Sequence, residues 1–369
     1  MHRWPTIRLG DVLELKIDAV PIDPAESYKI AGVYGFGRGL LARGPLLGSE
    51  TTYKVFHRLH EGDFVISQLK AWEGALAKVP GAFDGWFLSP QFPTFRPVEG
   101  KLDISYFDWY CKQLKVWESL RSSARGMGAR RDSVSPQAFL SMLLPLPPLE
   151  MQRRIVARIE ELATKIEQAL EARRNADAAS SSIMMAALRS TFCTNEPQTL
   201  LDEALQLQRG FDLPAQVRVS GPYPVFAANG EVGRHIESRV KGPGVVTGRS
   251  GSIGAVNYVE GDFWPLNTAL YVRDFRGNQP RLIYYLLRSV SPELKQAASQ
   301  TAVPTLDRKK AHTQIHVHVP SLSDQGRIVT CLDELQAKVD AVKRLQVETA
   351  AELDALLPSI LDKAFKGEL

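Results

Sequence analysis

The chain has 369 residues, enough for about two to three domains. Hydrophobic residues make up 44% and charged residues 23%, and only three cysteines occur; this excludes a disordered chain, a disulfide scaffold and a collagen-like fibre. Lys and Arg number 45 against 41 Asp and Glu, a net charge of +4 that permits a nucleic-acid partner without requiring one. Cys111, Cys193 and Cys331 lie far apart with no Cys-x-x-Cys, so neither a zinc ribbon nor a redox pair is expected. The opening Met1-His2-Arg3-Trp4-Pro5 has no apolar stretch behind it, and no run approaches the ~18–20 apolar residues of a membrane span. The expectation is a cytoplasmic protein with no membrane partner.

Residues 1–146 are rich in Gly, Pro and aromatics and carry short strand-like runs such as Gly62-Asp63-Phe64-Val65-Ile66-Ser67. A helix-like stretch at 107–120 follows. Next come a Ser/Gly-rich loop with Arg121, Arg125, Arg130 and Arg131, and a final strand at 139–146. Residues 147–195 then read as one long helix. Its apolar positions Ile155, Ile159, Leu162 and Ile166 are spaced 4, 3 and 4, a coiled-coil seam with charged flanks. Residues 196–319 repeat the first plan: Gly242-Pro243-Gly244-Val245-Val246-Thr247 as a strand, a helix-like stretch at 281–294, the basic run Arg308-Lys309-Lys310 in a loop, and a strand at 314–319. Residues 320–369 read as a second long helix with seam positions Ile328, Leu332, Leu335 and Val339, and Pro358 is expected to kink or break it.

The two helical segments are copies. PPLEMQRRIVARIEELATKIE (147–167) and PSLSDQGRIVTCLDELQAKVD (320–340) align without a gap and share nine residues, among them Gln152/Gln325, Arg154/Arg327, Ile155/Ile328, Glu161/Glu334 and Leu162/Leu335. The globular segments share shorter anchors: the strand-like runs above, then Gly74-Ala75 with Gly254-Ala255, and Asp84-Gly85-Trp86 with Asp262-Phe263-Trp264. The fold class is therefore α+β, a duplicated globule-helix-globule-helix chain. Antiparallel pairing of the two long coiled-coil helices would hold the globules apart.

Catalytic signatures are missing. Gly35-Phe36-Gly37-Arg38-Gly39 hints at a nucleotide loop, but no strand–glycine–helix context and no acidic ribose ligand accompany it. Neither a Walker-type phosphate loop nor an Asn-Pro-Pro-Tyr or Asp-Pro-Pro-Tyr box occurs. His316 and His318 alternate with apolar residues as on a strand with one wet face, so with His312 they read as structural or DNA-facing rather than as metal ligands. No metal site is expected.

PLPPLEMQRRIVARIEEL (145–162), its echo at 320–335 and the ending LLPSILDKAFKGEL (356–369) resemble the DNA-specificity subunit of type I restriction–modification systems. TIRLGDVL (6–13), YPVFAANGEVG (223–233), TGRSGSIGAV (247–256) and DFWPLNTALYV (262–272) support the resemblance. It implies target-recognition domains at 1–146 and 196–319, each followed by a conserved helical spacer, 147–195 and 320–369. Each domain would read one half of a split, asymmetric site in double-stranded DNA. It also implies a subunit without catalysis of its own, docked to two methylation subunits and to restriction/translocase subunits. Those partners would bring S-adenosylmethionine, ATP and Mg, with no cofactor on this chain. The runner-up is a non-catalytic coiled-coil adaptor that binds protein. Three positions depart from the pattern: Gly326 where the first copy has Arg153, Pro358 inside the closing helix, and Tyr34-Gly35-Phe36-Gly37 where the second domain has Asn229-Gly230.

Charge and loop placement nominate the DNA-facing residues: Arg38, Arg43, Arg125, Arg130 and Arg131 in the first domain, and Asn229, Arg234, Arg249, Ser250, Arg308 and Lys309 in the second. The seam residues Ile155, Ile159, Leu162, Ile166, Ile328, Leu332, Leu335 and Val339 are expected to pair within the chain, and the outer faces of the helices to dock partner subunits.

Overall fold

The structure is a computed structural model and describes residues 4–124, 133–194, 196–299 and 304–369. The chain divides into two units, 1–171 with 349–369 and 172–348.

The first unit opens with β1 (Thr6–Arg8), β2 (Leu13–Leu15), β3 (Asp18–Pro21), β4 (Ser27–Val33) and β5 (Leu40–Leu47). It continues with β6 (Val55–Arg58), β7 (Phe64–Ile66), β8 (Leu76–Lys78), β9 (Phe87–Leu88) and β10 (Thr94–Pro97). Helices α1 (Ile104–Cys111), α2 (Leu114–Ala124) and α3 (Pro136–Leu140), strand β11 (Leu143–Pro145) and the first half of α4 (Leu149–Phe192) complete this run. Three sheets result, in the orders β1-β11, β2-β10-β7-β8 and β3-β6-β9-β4-β5.

The second unit holds β12 (Thr199–Leu200), α5 (Leu201–Ala204), β13 (Gln206–Arg209), β14 (Tyr223–Ala227), β15 (Gly230–His235), β16 (Gly244–Gly248) and β17 (Val256–Val259). It goes on to β18 (Trp264–Pro265), β19 (Ala269–Asp274), α6 (Pro280–Ser289), α7 (Ser291–Gln296), α8 (Arg308–Gln314), β20 (His316–Val317) and the first part of α9 (Leu322–Lys366). Its sheets are β12-β20, β13-β19-β16-β17 and β15-β14-β18. The duplication is thus visible strand by strand. β7 and β16, the strands the sequence anchors align, hold the same place in their four-stranded sheets. The β4–β5 and β14–β15 hairpins each take a parallel neighbour, β9 and β18. The first unit adds β3 and β6 at one side of the hairpin sheet.

Several local expectations are corrected. The stretch at 107–120 is two helices, α1 and α2, and that at 281–294 is α6 and α7. Residues 136–140 are helical, because Ser135 accepts a hydrogen bond from the Ala138 amide and Pro136 fits the first helical position; the strand begins only at Leu143. Arg308, Lys309 and Lys310 lie in α8 rather than in a loop. Asp307 accepts hydrogen bonds from the Lys309 and Lys310 amides and starts that helix. α9 spans 45 residues and is not broken at Pro358. An interior proline costs about 3 kcal/mol, but the turn after it buries Leu361, Ala364 and Phe365 in the first unit's core. Each large apolar side chain so buried contributes about 1.5–3 kcal/mol, which offsets the loss.

The long helices are core elements of both units. In the first unit Ile155, Val156 and Ile159 of α4 are buried with Leu361 and Phe365 of α9, beside Tyr106 and Phe139. In the second, Met184, Leu188 and Phe192 of α4 are buried with Leu332 and Val339 of α9, beside Tyr285 and Leu286. The start of one helix therefore meets the end of the other in each unit, so the two run antiparallel. Leu162 and Ile166 are half-buried; Ile328 and Leu335 pack against the second core from its margin.

A glutamine locks each helix to its domain. Gln152 is fully buried: its Oε1 accepts from the Asp103 amide (2.8 Å) and its Nε2 donates to the carbonyls of Pro147 (2.9 Å) and Lys101 (3.1 Å). Gln325, equally buried, accepts from the Gln279 amide (2.9 Å) and donates to Asn278 Oδ1 (2.7 Å) and the Pro320 carbonyl (3.1 Å). Asp103 and Gln279 are the cap residues of α1 and α6, so each glutamine joins two helix starts. Removing one amide side chain strands buried polar groups. Gln152→Ala and Gln325→Ala are each expected to lower unfolding stability by about 2–4 kcal/mol. Urea denaturation checks this; a change within about 0.5 kcal/mol, the range of ordinary surface substitutions, would contradict the clamp.

Candidate nucleic-acid interface

The second unit gathers cations at β13, β19 and the turn after β16 in its four-stranded sheet. The buried run Ala269–Val272 of β19 ends with Arg273 turned outward, and β13 ends with Arg209 exposed. After β16 the chain turns sharply. The amides of Arg249 and Ser250 both donate to the Thr268 carbonyl (3.0 and 3.1 Å), the Arg249 carbonyl accepts from the Leu306 amide (2.8 Å), and Ser250 bridges to Thr305. This turn carries Arg249 to the start of α8. Arg209, Arg249, Arg308 and Lys309 line a cleft of about 550 Å³. A smaller hollow of about 220 Å³ adds Arg273 beside Arg308 and Lys309. Of the nearby carboxylates, Asp212 pairs with Arg209 at 3.6 Å and Asp307 is engaged in capping α8. Cations therefore predominate, in a form suited to a polyanion: guanidinium forks and an ammonium along a groove.

The structure brings together three of the nominated residues of this domain, Arg249, Arg308 and Lys309, with Ser250 beside them. Arg209 and Arg273 were missed; the only signal was an arginine at or next to the end of a strand. Arg234 lies elsewhere, on β15, paired with Glu231 (3.5 Å) and donating to the Pro222 carbonyl. Asn229 is exposed at the tip of the β14–β15 hairpin.

In the first unit the matching hairpin tip is longer. Arg38 lies on it, donating from Nε to the Gly35 carbonyl (3.2 Å), with its guanidinium 4.7 Å from the Tyr34 ring centre. Arg43 is exposed on β5. Arg125, Arg130 and Arg131 lie outside the described residues. The glycine string 35–39 joins two antiparallel strands, β4 and β5, which is not the context of a nucleotide-binding loop. Further cations stack on aromatics nearby: Lys112 over Trp109 (3.9 Å) and Arg121 over Trp72 (5.3 Å). Neither pair was anticipated: Lys112 lies one helical turn after Trp109, whereas Arg121 and Trp72 come from segments distant in sequence.

Among the described residues no group of three or more His, Cys, Asp or Glu could hold a metal ion, and no helix is long and apolar enough to cross a membrane. His312 is buried in α8, with Nε2 accepting from the Leu207 amide (3.1 Å) and Nδ1 against Asp202 (3.1 Å). It lines the smaller hollow beside Arg273, Arg308 and Lys309. His316 and His318 flank the buried Val317.

These features fit a duplicated nucleic-acid-reading protein, and comparison with known proteins gives the family. Residues 1–175 and 201–349 match the type I restriction modification DNA specificity domain, and the chain belongs to that family. Its members are the non-catalytic DNA-recognition subunits of type I restriction–modification complexes. Two solved structures are similar along the whole chain. One is the crystal structure of the HsdS subunit from Thermoanaerobacter tengcongensis, 24% identical, with a TM-score of 0.66 over 99% of this chain and 97% of that one. The other comes from work on complex assembly and conformational transition of the type I R-M system, 23% identical, with a TM-score of 0.78 over 99% of this chain and 98% of that one. At these identities they show the shared fold. No curated protein matches the sequence.

The geometry of His312 makes stability depend on pH. Burial, which disfavours the charged ring, pushes its pKa below the usual value; Asp202 opposes this, while Arg308 and Arg276 add to it. The ring is thus neutral when folded, its Nδ1–H donating to Asp202. Once the pH falls below the unfolded histidine value of about 6.5, the unfolded chain binds the proton first, so stability declines there and is fully present above it. Denaturation at pH 7.5 and 5.5 should show a larger acid loss for the wild type than for His312→Gln; equal losses would refute the assignment.

Proposed function

We propose that this chain reads a bipartite, asymmetric double-stranded DNA site, one half-site per domain, as the recognition subunit of a type I restriction–modification complex in the cytoplasm. The observation that carries this reading is a repeated fold with unlike tips. The two hairpins occupy the same place in the same topology. One ends in a six-residue aromatic and arginine loop (34–39), the other in a tight two-residue turn at Ala228-Asn229. One scaffold with two different reading edges suits two different half-sites. The cations of the second domain contact phosphates and fix register, while side chains at the tips meet base edges.

In this reading α4 and α9 form the spacer between half-sites, and their outer faces dock two methylation subunits. Restriction/translocase subunits join that core. Ile183, Leu345 and Val347 are exposed on these helices, apolar surface that supports a protein partner there. S-adenosylmethionine, ATP and Mg belong to the partners, and this chain contributes binding and placement. The coiled-coil adaptor alternative leaves the basic cleft of the second domain without a use.

The direct test is co-expression with the neighbouring methyltransferase and restriction genes, followed by single-molecule sequencing of host DNA. A split methylated motif, lost when this gene is deleted, is the expected result; DNA unmethylated in every combination would refute the reading. In filter binding at varied salt, Arg308→Ala and Lys309→Ala should each weaken binding across all sequences and reduce the salt slope by about 1. An unchanged slope would remove that residue from the phosphate contacts. A seven-residue insertion within 152–192, matched on the facing part of α9, adds about 10 Å of helix. It should lengthen the unread spacer of the methylated motif; an unchanged spacer would exclude the helices as the ruler.

A further inference from the structure

The loop joining β4 and β5 displays an aromatic ring where folding alone would not place one. Phe36 is 67% exposed and sits in the left-handed region at φ +61°. Both features are unfavourable for phenylalanine: the ring is left in water and the backbone carries strain that glycine or asparagine would avoid. The surroundings nevertheless hold it there. The Phe36 amide donates to the Glu73 carbonyl (2.7 Å), the Gly37 amide to the Gly74 carbonyl (2.9 Å), and the Tyr34 amide to the Gly39 carbonyl (2.9 Å). Gly74 permits this approach. A Cβ there would lie 2.7 Å from the Trp117 ring and 2.9 Å from the Phe36 nitrogen. Trp117 meets Phe36 edge-on with ring centres 6.2 Å apart and is fixed by its own Nε1 donating to the Cys111 carbonyl (2.6 Å).

The charge around the ring is positive where it is free. Arg38 reaches both neighbouring rings, 4.7 Å from Tyr34 and 6.0 Å from Phe36. The nearby carboxylates are taken by lysines: Glu73 by Lys70, Asp108 by Lys112, and Asp362 by Lys115 and Lys366. Among the described residues no carboxylate pairs with Arg38 or Arg121. A rigid loop with an exposed ring, a second exposed ring at Tyr34 and an unneutralised guanidinium between them is suited to nucleobases: a π face or thymine methyl for the ring, a phosphate or guanine edge for the arginine.

We infer that Phe36 is a specificity-determining residue of the first domain, making apolar contact with a base of its half-site while Arg38 anchors the adjacent backbone or base edge. This rests on the DNA-reading function proposed above. The second domain has no counterpart, since its tip is the short Ala228-Asn229 turn, so the effect is confined to one half-site.

The test uses the full complex with its methylation subunits. The split motif is mapped for the wild type and for Phe36→Ala, Phe36→Tyr and Phe36→Asn. Affinity is measured on a duplex carrying the wild-type motif. Asparagine tolerates the left-handed backbone, so Phe36→Asn is expected to fold with a melting temperature at or above the wild type while lacking the ring. Expected are about tenfold weaker binding for the Ala and Asn variants, relaxed sequence preference in one half-site with the other intact, and retention by Phe36→Tyr. Unchanged motif and affinity in folded Phe36→Asn would overturn the inference. So would loss of subunit assembly with DNA binding by the chain kept, which would assign this surface to a protein partner. A wild-type complex that yields no split motif would instead defeat the underlying function, a result independent of the variants.

Discussion

A buried primary amide needs all its hydrogen bonds met inside the protein, and Gln152 and Gln325 meet theirs by holding two helix starts together. Each accepts from the cap residue of a domain helix and donates to the carbonyl five residues before itself, at the proline where its own long helix is entered. The direction in which α4 and α9 leave their domains is thereby set by a few directional bonds, not by apolar contact alone, which would tolerate sliding. Once the first turns are fixed, Ile155 and Ile159 fall into one core and Leu332 into the other. The placement of both long helices begins at these glutamines.

The same economy shapes the candidate interface. A small α+β domain has little freedom in its sheets, since its strands are buried in part on both faces. The two domains differ at their hairpin tips. In the first domain two backbone hydrogen bonds and a glycine hold an aromatic tip in place. In the second, the turn after β16 and the buried His312 of α8 hold a cluster of cations. One domain offers rings with an arginine, the other a basic groove. Duplication supplied the scaffold, and divergence at the tips gave each copy a different chemistry.

The long helices serve two masters along their length. At their ends they complete the cores of the domains; between those ends α4 is mostly exposed from 167 to 183. A heptad pattern alone cannot separate these roles, because an apolar stripe every three or four residues looks alike whether it meets a partner helix or a sheet. That is why the seam residues divide. Ile155, Ile159, Leu332 and Val339 are buried among domain residues, whereas Leu162 and Ile166 are only half covered.

The sequence by itself determined the duplication, the α+β class and the two long helices, because gapless identities and 3.6-residue periodicity are local signals carried along one segment. It also placed Gln152 and Gln325 as a repeated pair without disclosing their role. Tertiary structure decided what joins distant segments. It set Arg209 and Arg273 beside Arg249, Arg308 and Lys309, and brought Phe36 against Trp117 and the Glu73-Gly74 turn. It carried α9 past Pro358, where the burial of Phe365 outweighs a local breaking tendency. It also turned the basic run at 308–310 from the expected loop into a capped helix, through an Asp307 side chain whose hydrogen bonds no composition count registers. Contacts between residues a hundred positions apart depend on how the sheets close, and that is a property of the whole chain.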